Sequence, residues 1–238
     1  IVRGDTLANP AFLHNDELKK FNVILANPPY SIKAWDQKSF TNDPYGRNLW
    51  GVPPQGCADY AFQQHMQKSL DEKNGRSISL WPHGILFRDS EAEMRKKMIE
   101  EDLVECVIGL GPNLFYNSPM EACLLITTTN KAKNRKGKVL VVNAVKEVKQ
   151  DKNIGFLEQK HLDKIYKAYK DFKDEEGFCK VLSIEEIIGN KGSLNIAQYV
   201  SNVDTTTEQL TIDEALGNWN ESSTSLKKSM NELFQILN

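Results

Sequence analysis

Phe21-Asn22-Val23-Ile24-Leu25-Ala26-Asn27-Pro28-Pro29-Tyr30 is the stretch that decides the fold class. A short, nearly continuous apolar run closed by two prolines predicts a strand buried on both faces, as parallel sheets require. The prolines must end it, because they cannot donate to a sheet ladder. Working outward, Ser77–Trp81, Leu103–Leu110, Ala122–Thr128 and Lys138–Ala144 repeat the apolar-run pattern. Between them lie helical periods. Ala58 to Lys73 carries an apolar stripe at Ala58, Ala61, Phe62, Met66 and Leu70, stopped by Asn74-Gly75. Ser90-Glu91-Ala92-Glu93 has the capping-box pattern and predicts a helix from about Glu91 to Glu101.

Alternating strands and helices predict an α/β fold with a doubly wound, mostly parallel sheet. Leu103–Leu110 and Ala122–Thr128 have no helix between them, so an antiparallel pair at one edge is expected. Residues 31–57, punctuated by Pro44, Gly46, Gly51 and Pro53-Pro54, read as a long surface loop. Upstream, Ile1-Val2-Arg3-Gly4-Asp5 reads as a strand already in progress, and the first residue is not methionine. The chain is therefore expected to be the later part of something longer, with an apolar sheet edge left open.

Beyond residue 150 the pattern changes. Leu157 to Phe172 reads as a helix with Leu162, Ile165, Tyr166 and Tyr169 on one face. A short segment around Val181–Ile188 follows. From Thr211, a capping box (Thr211-Ile212-Asp213-Glu214) opens the most periodic element. Ile212, Leu216, Trp219, Leu226, Met230, Leu233 and Leu237 fall on alternating steps of four and three, with Ser223 at the remaining seam position. That is a heptad seam, suited either to a partner helix or to the chain's own domain. The expected organisation is 1–150, 151–208 as an α/β extension, and 209–238 as an association helix.

The chain has 238 residues with a net charge of −2, 40% hydrophobic and 26% charged residues, which is ordinary for a soluble domain with an appendage. No stretch is long and apolar enough for a bilayer span, so a cytoplasmic protein without a membrane partner is expected. A net negative charge disfavours a protein that grips nucleic acid unaided. The basic run Lys131 to Lys138 is expected to be a solvated loop rather than a DNA contact. Cys57, Cys106, Cys123 and Cys179 show neither disulfide nor zinc spacing, so buried free thiols and no metal are expected.

Asn27-Pro28-Pro29-Tyr30 carries the chemistry. It sits at the carboxyl end of a strand, where open α/β sheets bind ligands. An aromatic amine is a poor nucleophile until its nitrogen moves from planar towards tetrahedral. Two acceptors for its two hydrogens favour that change, increasingly so towards the transition state. The Asn27 side-chain oxygen and the Pro28 carbonyl can be those acceptors, and proline keeps them from reorganising. Tyr30 offers a face on which a flat base can stack, after the base has been flipped out of a duplex. The four residues alone admit three readings: a plain strand-ending turn, methylation of a nucleic-acid amine, or methylation of a protein glutamine amide.

The wider sequence resembles the modification (methyltransferase) subunit of type I restriction–modification systems. The stretches that carry the resemblance are Arg3–Leu7, Ala26–Ser31, Tyr45–Phe62, Pro82–Arg88, Ile108–Tyr116, Arg135–Leu140 and Leu194–Val200. They are collinear and spread over most of the chain. The resemblance implies the later strands of a class I methyltransferase sheet and adenine-N6 methylation of DNA with S-adenosylmethionine. It implies partnership with a specificity subunit, which reads the DNA sequence, and a restriction subunit. It argues against the glutamine reading. Asn27 and Pro28 would hold the target amine, Tyr30 would stack on the adenine, and Pro29 would complete the catalytic motif. Phe115 would be either a second aromatic against the base or ordinary core. Asp5 would be either the acid that bonds the cofactor's adenine or a turn aspartate. His83 lies at the same edge, and a turn or packing role is expected for it. The Gly-rich turn that holds the methionine end of the cofactor is missing, since Gly109-Leu110-Gly111 lies too late in the chain. A non-catalytic assembly or DNA-contact module is the alternative, and the piece by itself is expected to be inactive.

Overall fold

The structure is a computed structural model that describes residues 1–115, 118–152, 154–201 and 211–237, excepting the side chains of residues 233–237. It divides into two compact units, Ile1–Asn202 and Val203–Asn238.

In the first unit six strands form one sheet: β1 (Val23–Ala26), β2 (Arg76–Pro82), β3 (Val104–Leu110), β4 (Ala122–Thr128), β5 (Lys138–Ala144) and β6 (Cys179–Ser183). Their order is β6-β5-β3-β4-β2-β1. β1 and β2 pair in parallel, as do β3 and β5. β4 runs against both β2 and β3, and β6 against β5. Four strands thus point one way, with β6 as an antiparallel edge. The expected antiparallel pair of β3 and β4 forms, but in the interior of the sheet, because β4 inserts beside β2 while β3 pairs with β5.

Helices α1 (Gln37–Thr41), α2 (Asp59–Lys68), α3 (Ala92–Glu100), α4 (Gln159–Asp171), α5 (Ile184–Gly189) and α6 (Ile196–Tyr199) accompany the sheet. Side chains alternate across a strand, so the central strands feed two cores. Val107, Leu125 and Val141 join Trp50, Tyr60 and Met98 in one; Cys106, Ile108, Leu140 and Val142 join Ala168 and Phe172 in the other.

Several expectations change in context. β1 is not buried on both faces: Val23 is 62% and Leu25 72% exposed, while Ile24 and Ala26 pack against the first core. β1 is an edge strand, and no described element covers its Val23 side. Residues 1–5 form no strand. α2 stops at Lys68 instead of Lys73, because Leu70 bridges to Phe21: the Phe21 N–H donates to the Ser69 carbonyl and the Asp71 N–H to the Phe21 carbonyl, both at 2.9 Å. The Ser90 capping box does not form. A 3₁₀ turn, Asp89–Glu91, precedes α3, and the Glu91 carboxylate is buried against Arg88. In α4 the buried face is His161, Ala168, Ile165 and Tyr169, whereas Leu162 and Tyr166 are exposed.

Residues 31–57 are better anchored than a free loop. They contain α1, capped by Asp36, and the buried Arg47. Arg47 donates to Asp43 and to the Thr6 and Leu7 carbonyls, which ties this segment to the start of the chain. Beside it stands His65 of α2, with Arg47 Nη1 3.5 Å from its Nδ1. The basic run is likewise only half solvated. Lys131 is buried, donating to Asp102 at 2.6 Å and to the Lys138 carbonyl at 2.7 Å. Arg135 pairs with buried Glu105 and lies over the Tyr169 and Phe172 rings. Arg76 and the Tyr169 hydroxyl complete that group on Glu105. All four cysteines are buried and unpaired.

The second unit is helix α7 (Ile212–Leu237), opened by the expected capping box: the Glu214 N–H donates to Thr211 Oγ1 at 3.3 Å, and the Thr211 N–H donates to the Glu214 carboxylate at 2.7 Å. Along its seam Ile212, Leu216, Trp219, Leu226 and Met230 are exposed. Among the described residues no helix is long and apolar enough to cross a membrane.

Two expected outcomes follow from these anchors. Arg135→Gln leaves Glu105 with Arg76 and Tyr169 only; the expected loss is about 2 kcal/mol, below the roughly 3–5 kcal/mol of stripping a buried charge bare, read from denaturant unfolding. Burial lowers the pKa of His65 to about 4, helped by the Arg47 charge and opposed by Asp43. Between that value and the ordinary one near 6.5, the unfolded chain binds a proton that the folded chain refuses. The His65 contribution is complete above about pH 6.5 and is lost as pH falls towards 4. His65→Gln is expected to flatten the unfolding midpoint across that window.

Candidate active site

The sheet register brings the sequence-predicted residues to one edge. Ala26 pairs with Ser79, Ser79 with Leu125, and Leu110 with Ala122. The turn after β1, the end of β2 and the β3–β4 connection therefore meet where the parallel strands finish. Asn27 to Tyr30 leave β1 there, and Phe115 stands in the β3–β4 connection. Asn27 and Pro29 are exposed, and Pro28 and Tyr30 half-buried.

The Tyr30 hydroxyl donates to Asn27 Oδ1 at 2.9 Å. Burial raises the Tyr30 pKa above its ordinary value, reinforced by Cys123 and Asp59, so the phenol keeps the proton this bond requires. Tyr30 also packs on buried Trp81, ring centroids 6.4 Å apart and tilted by 44°. Trp81 is pinned in turn, its Nε1 donating to Ser79 Oγ at 2.8 Å and to Gln63 Oε1 at 3.2 Å. Tyr30 is thus a bracing group for Asn27 as well as an aromatic surface.

Sequence reasoning missed the residues behind this turn. The Ser31 N–H donates to Asp59 Oδ1 at 2.6 Å. Asp59 opens α2, is fully buried, and takes a second bond from Arg88 on its other oxygen. Arg88 Nε donates to buried Glu91 at 2.7 Å, and the Cys57 thiol reaches the same carboxylate at 3.4 Å. Burial pushes the Cys57 thiol up to about 12 and raises Glu91 despite the Arg88 charge. Burial disfavours the charge on Arg88, but the hydrogen bond to Asp59 and the charge of Glu91 outweigh it and raise its pKa. Cys57, Asp59 and Glu91 place ligand-type atoms within 4.8 Å of one another; the Arg88 guanidinium already bridges the two carboxylates. The one sequence signal was an acid and an arginine inside Tyr45–Phe62 and Pro82–Arg88, two of the stretches that carry the family resemblance.

A cavity of about 500 Å³ runs along β1 to the motif, within the size range of small-molecule sites. Phe12, Phe21, Leu25 and Phe62 give it apolar walls, and Asn27, Pro28 and His65 also line it. Asp5 sits between two of its lining residues, Gly4 and Thr6, and its Oδ1 accepts the Leu7 and Ala8 N–H groups at 3.0 Å. Asp5 therefore closes a turn next to the cavity. Phe115 is half-buried against the second core, which Tyr30 also touches. His83 Nε2 lies 3.0 Å from the Ala122 carbonyl, a bond that holds the end of β2 to the start of β4. The glycines of Gly109-Leu110-Gly111 serve packing: a Cβ on Gly109 would stand 2.8 Å from Ile196, and one on Gly111 2.5 Å from the Val145 carbonyl.

Residues 1–208 match the N-6 DNA methylase family. The methylase subunit of the type I restriction enzyme MjaVIII from Methanocaldococcus jannaschii is 37% identical over 211 residues, covering 84% of this chain and 36% of that protein. The HindI methylase subunit of Haemophilus influenzae is 33% identical over 202 residues, covering 78% of this chain and 43% of that protein. The crystal structure of a type I restriction-modification system methyltransferase subunit from Streptococcus thermophilus superposes with a TM-score of 0.75 at 34% identity, covering 83% of this chain and 41% of that one. The chain spans less than half the length of each of these relatives. It belongs to the N-6 DNA methylase family.

Proposed function

We propose that the chain carries the amine-binding part of an S-adenosylmethionine-dependent DNA methyltransferase that modifies adenine at N6, as the modification subunit of a type I restriction–modification complex. The observation that carries this reading is Asn27 at the end of β1, its Oδ1 oriented by the Tyr30 hydroxyl at 2.9 Å. An amide oxygen has two lone pairs. The bond from Tyr30 uses one and aims the other, so Asn27 can accept one amine hydrogen while the Pro28 carbonyl accepts the second. The amine nitrogen then gains tetrahedral character without rearrangement of the protein, which is where preorganised acceptors lower a barrier. Tyr30 and Phe115 are the aromatic surfaces for a base drawn out of the duplex. Pro28 and Pro29 keep the turn stiff.

When bound, S-adenosylmethionine supplies an electrophilic sulfonium methyl group. Asp5, between the cavity-lining Gly4 and Thr6, is the residue of this chain that would face the adenosine end of that cofactor. The residues for its methionine end are not evident in this sequence, whose one Gly-x-Gly is spent on packing.

The same reading assigns residues 1–150 to the catalytic domain, 151–208 to an extension, and 209–238 to association. The exposed α7 seam would dock the specificity subunit, with DNA and the restriction subunit as further partners, in the cytoplasm.

In the natural polypeptide assembled with its partners, Asn27→Ala is expected to slow adenine methylation about 100-fold or more, the scale of losing one oriented transition-state contact. Cofactor affinity by calorimetry should stay within about twofold. An Asn27→Ala enzyme with full activity would remove the reading. For docking, Leu226→Glu with Met230→Glu is expected to abolish co-purification with the specificity subunit while leaving cofactor binding intact; unaltered assembly would exclude α7 as the dock.

A further inference from the structure

We propose that Asp59 is a positioning residue for methyl transfer: it fixes the backbone of Ser31 and, through it, the amine-holding turn Asn27–Tyr30. This rests on the methyl-transfer reading of that turn. Ser31 follows Tyr30 directly and adopts φ +49°, the left-handed region that an L side chain occupies only at a cost. Its N–H donates to Asp59 Oδ1 at 2.6 Å, across 28 residues of sequence. A bond from a backbone N–H to an ionised carboxylate is about twice as strong as a neutral one, which suits a contact that must hold an unfavourable backbone angle.

Asp59 itself cannot drift. It is fully buried in the first turn of α2, where the helix N-terminus favours negative charge. Its second oxygen is occupied by Arg88, which is anchored on buried Glu91. Arg88 Nη1 also reaches Ser31 Oγ at 3.4 Å. Two oxygens therefore serve two purposes: one neutralises the carboxylate, and the other grips the turn. A purely structural ion pair would need only the first. The two prolines stiffen the turn from within, and Asp59 fixes where it leaves, so the Asn27 oxygen and Pro28 carbonyl keep their spacing when substrate arrives.

The experiment compares Asp59→Ala, Asp59→Asn, Ser31→Gly and Asp59→Ala/Ser31→Gly in the natural polypeptide with its partner subunits. It measures the single-turnover methyl-transfer rate together with DNA and cofactor affinities. Asp59→Ala is expected to slow the transfer step at least about tenfold, with both affinities within about twofold. Asp59→Asn, whose amide oxygen can still accept the Ser31 N–H, is expected to be faster than Asp59→Ala. Adding Ser31→Gly to Asp59→Ala is expected to restore part of the rate, because glycine adopts positive φ freely. An Asp59→Ala enzyme at the wild-type rate overturns the proposal; so does a slow one that neither replacement improves, since a merely structural defect would not respond to Ser31→Gly. If Asp59→Ala does not assemble, the comparison moves to Asp59→Ser, whose shorter side chain loses the Ser31 N–H, with and without Ser31→Gly, where equal rates overturn it. A wild-type complex that leaves adenine unmethylated would instead sink the underlying reading.

Discussion

The reversed direction of β4 is the constraint on which the site depends. β4 lies between β2 and β3 and runs against both. An antiparallel pair needs no crossover helix, so the connection leaving β3 turns back at the edge it has just reached. That edge is where β1 and β2 also end. Had β4 run parallel, the chain would have had to cross the sheet before entering it, and the start of β4 would not stand at the edge where β2 ends. α6 and the segment after β5 pack closely on Gly109 and Gly111 at the end of β3.

Charge is buried at both ends of this apolar sheet. At the start of the strands, Glu105 gathers Arg76, Arg135 and the Tyr169 hydroxyl. At their finish, Arg88 joins Asp59 and Glu91. Burying such groups costs free energy that their attraction barely offsets, so neither cluster is a strong source of stability by itself. Each constrains geometry instead. The first ties the β5 approach and α4 to β2 and β3, and the second ties α2 and the β2–α3 segment to the motif turn.

Much of the fold was legible because the central strands have both faces covered. Ala122–Thr128 and Lys138–Ala144 begin and end where the apolar runs do. The misreadings arose where a distant partner overrode a local pattern. Phe21 takes the residues that would have extended α2. Glu91 turns inward to Arg88, and the Ser90 cap is lost. Lys131 and Arg135 read as solvated charges because Asp102 and Glu105 lie about thirty residues away in sequence. The site divides the same way. Asn27 to Tyr30 form a contiguous pattern with a chemical rationale, whereas Asp59 and Arg88 acquire meaning only from folding.

The thiols give the molecule an internal clock. Alkylation and disulfide exchange need an accessible thiolate, and Cys57 is both buried and held in its protonated form beside Glu91. Reagent can reach it only when the chain around Pro54–Asp59 opens. Cys106 and Cys123 lie in adjacent central strands, β3 and β4, and become reactive only when the sheet itself parts. Labelling rates at the two kinds of cysteine therefore report separate events on one chain, the loosening of the brace behind the motif and the opening of the core.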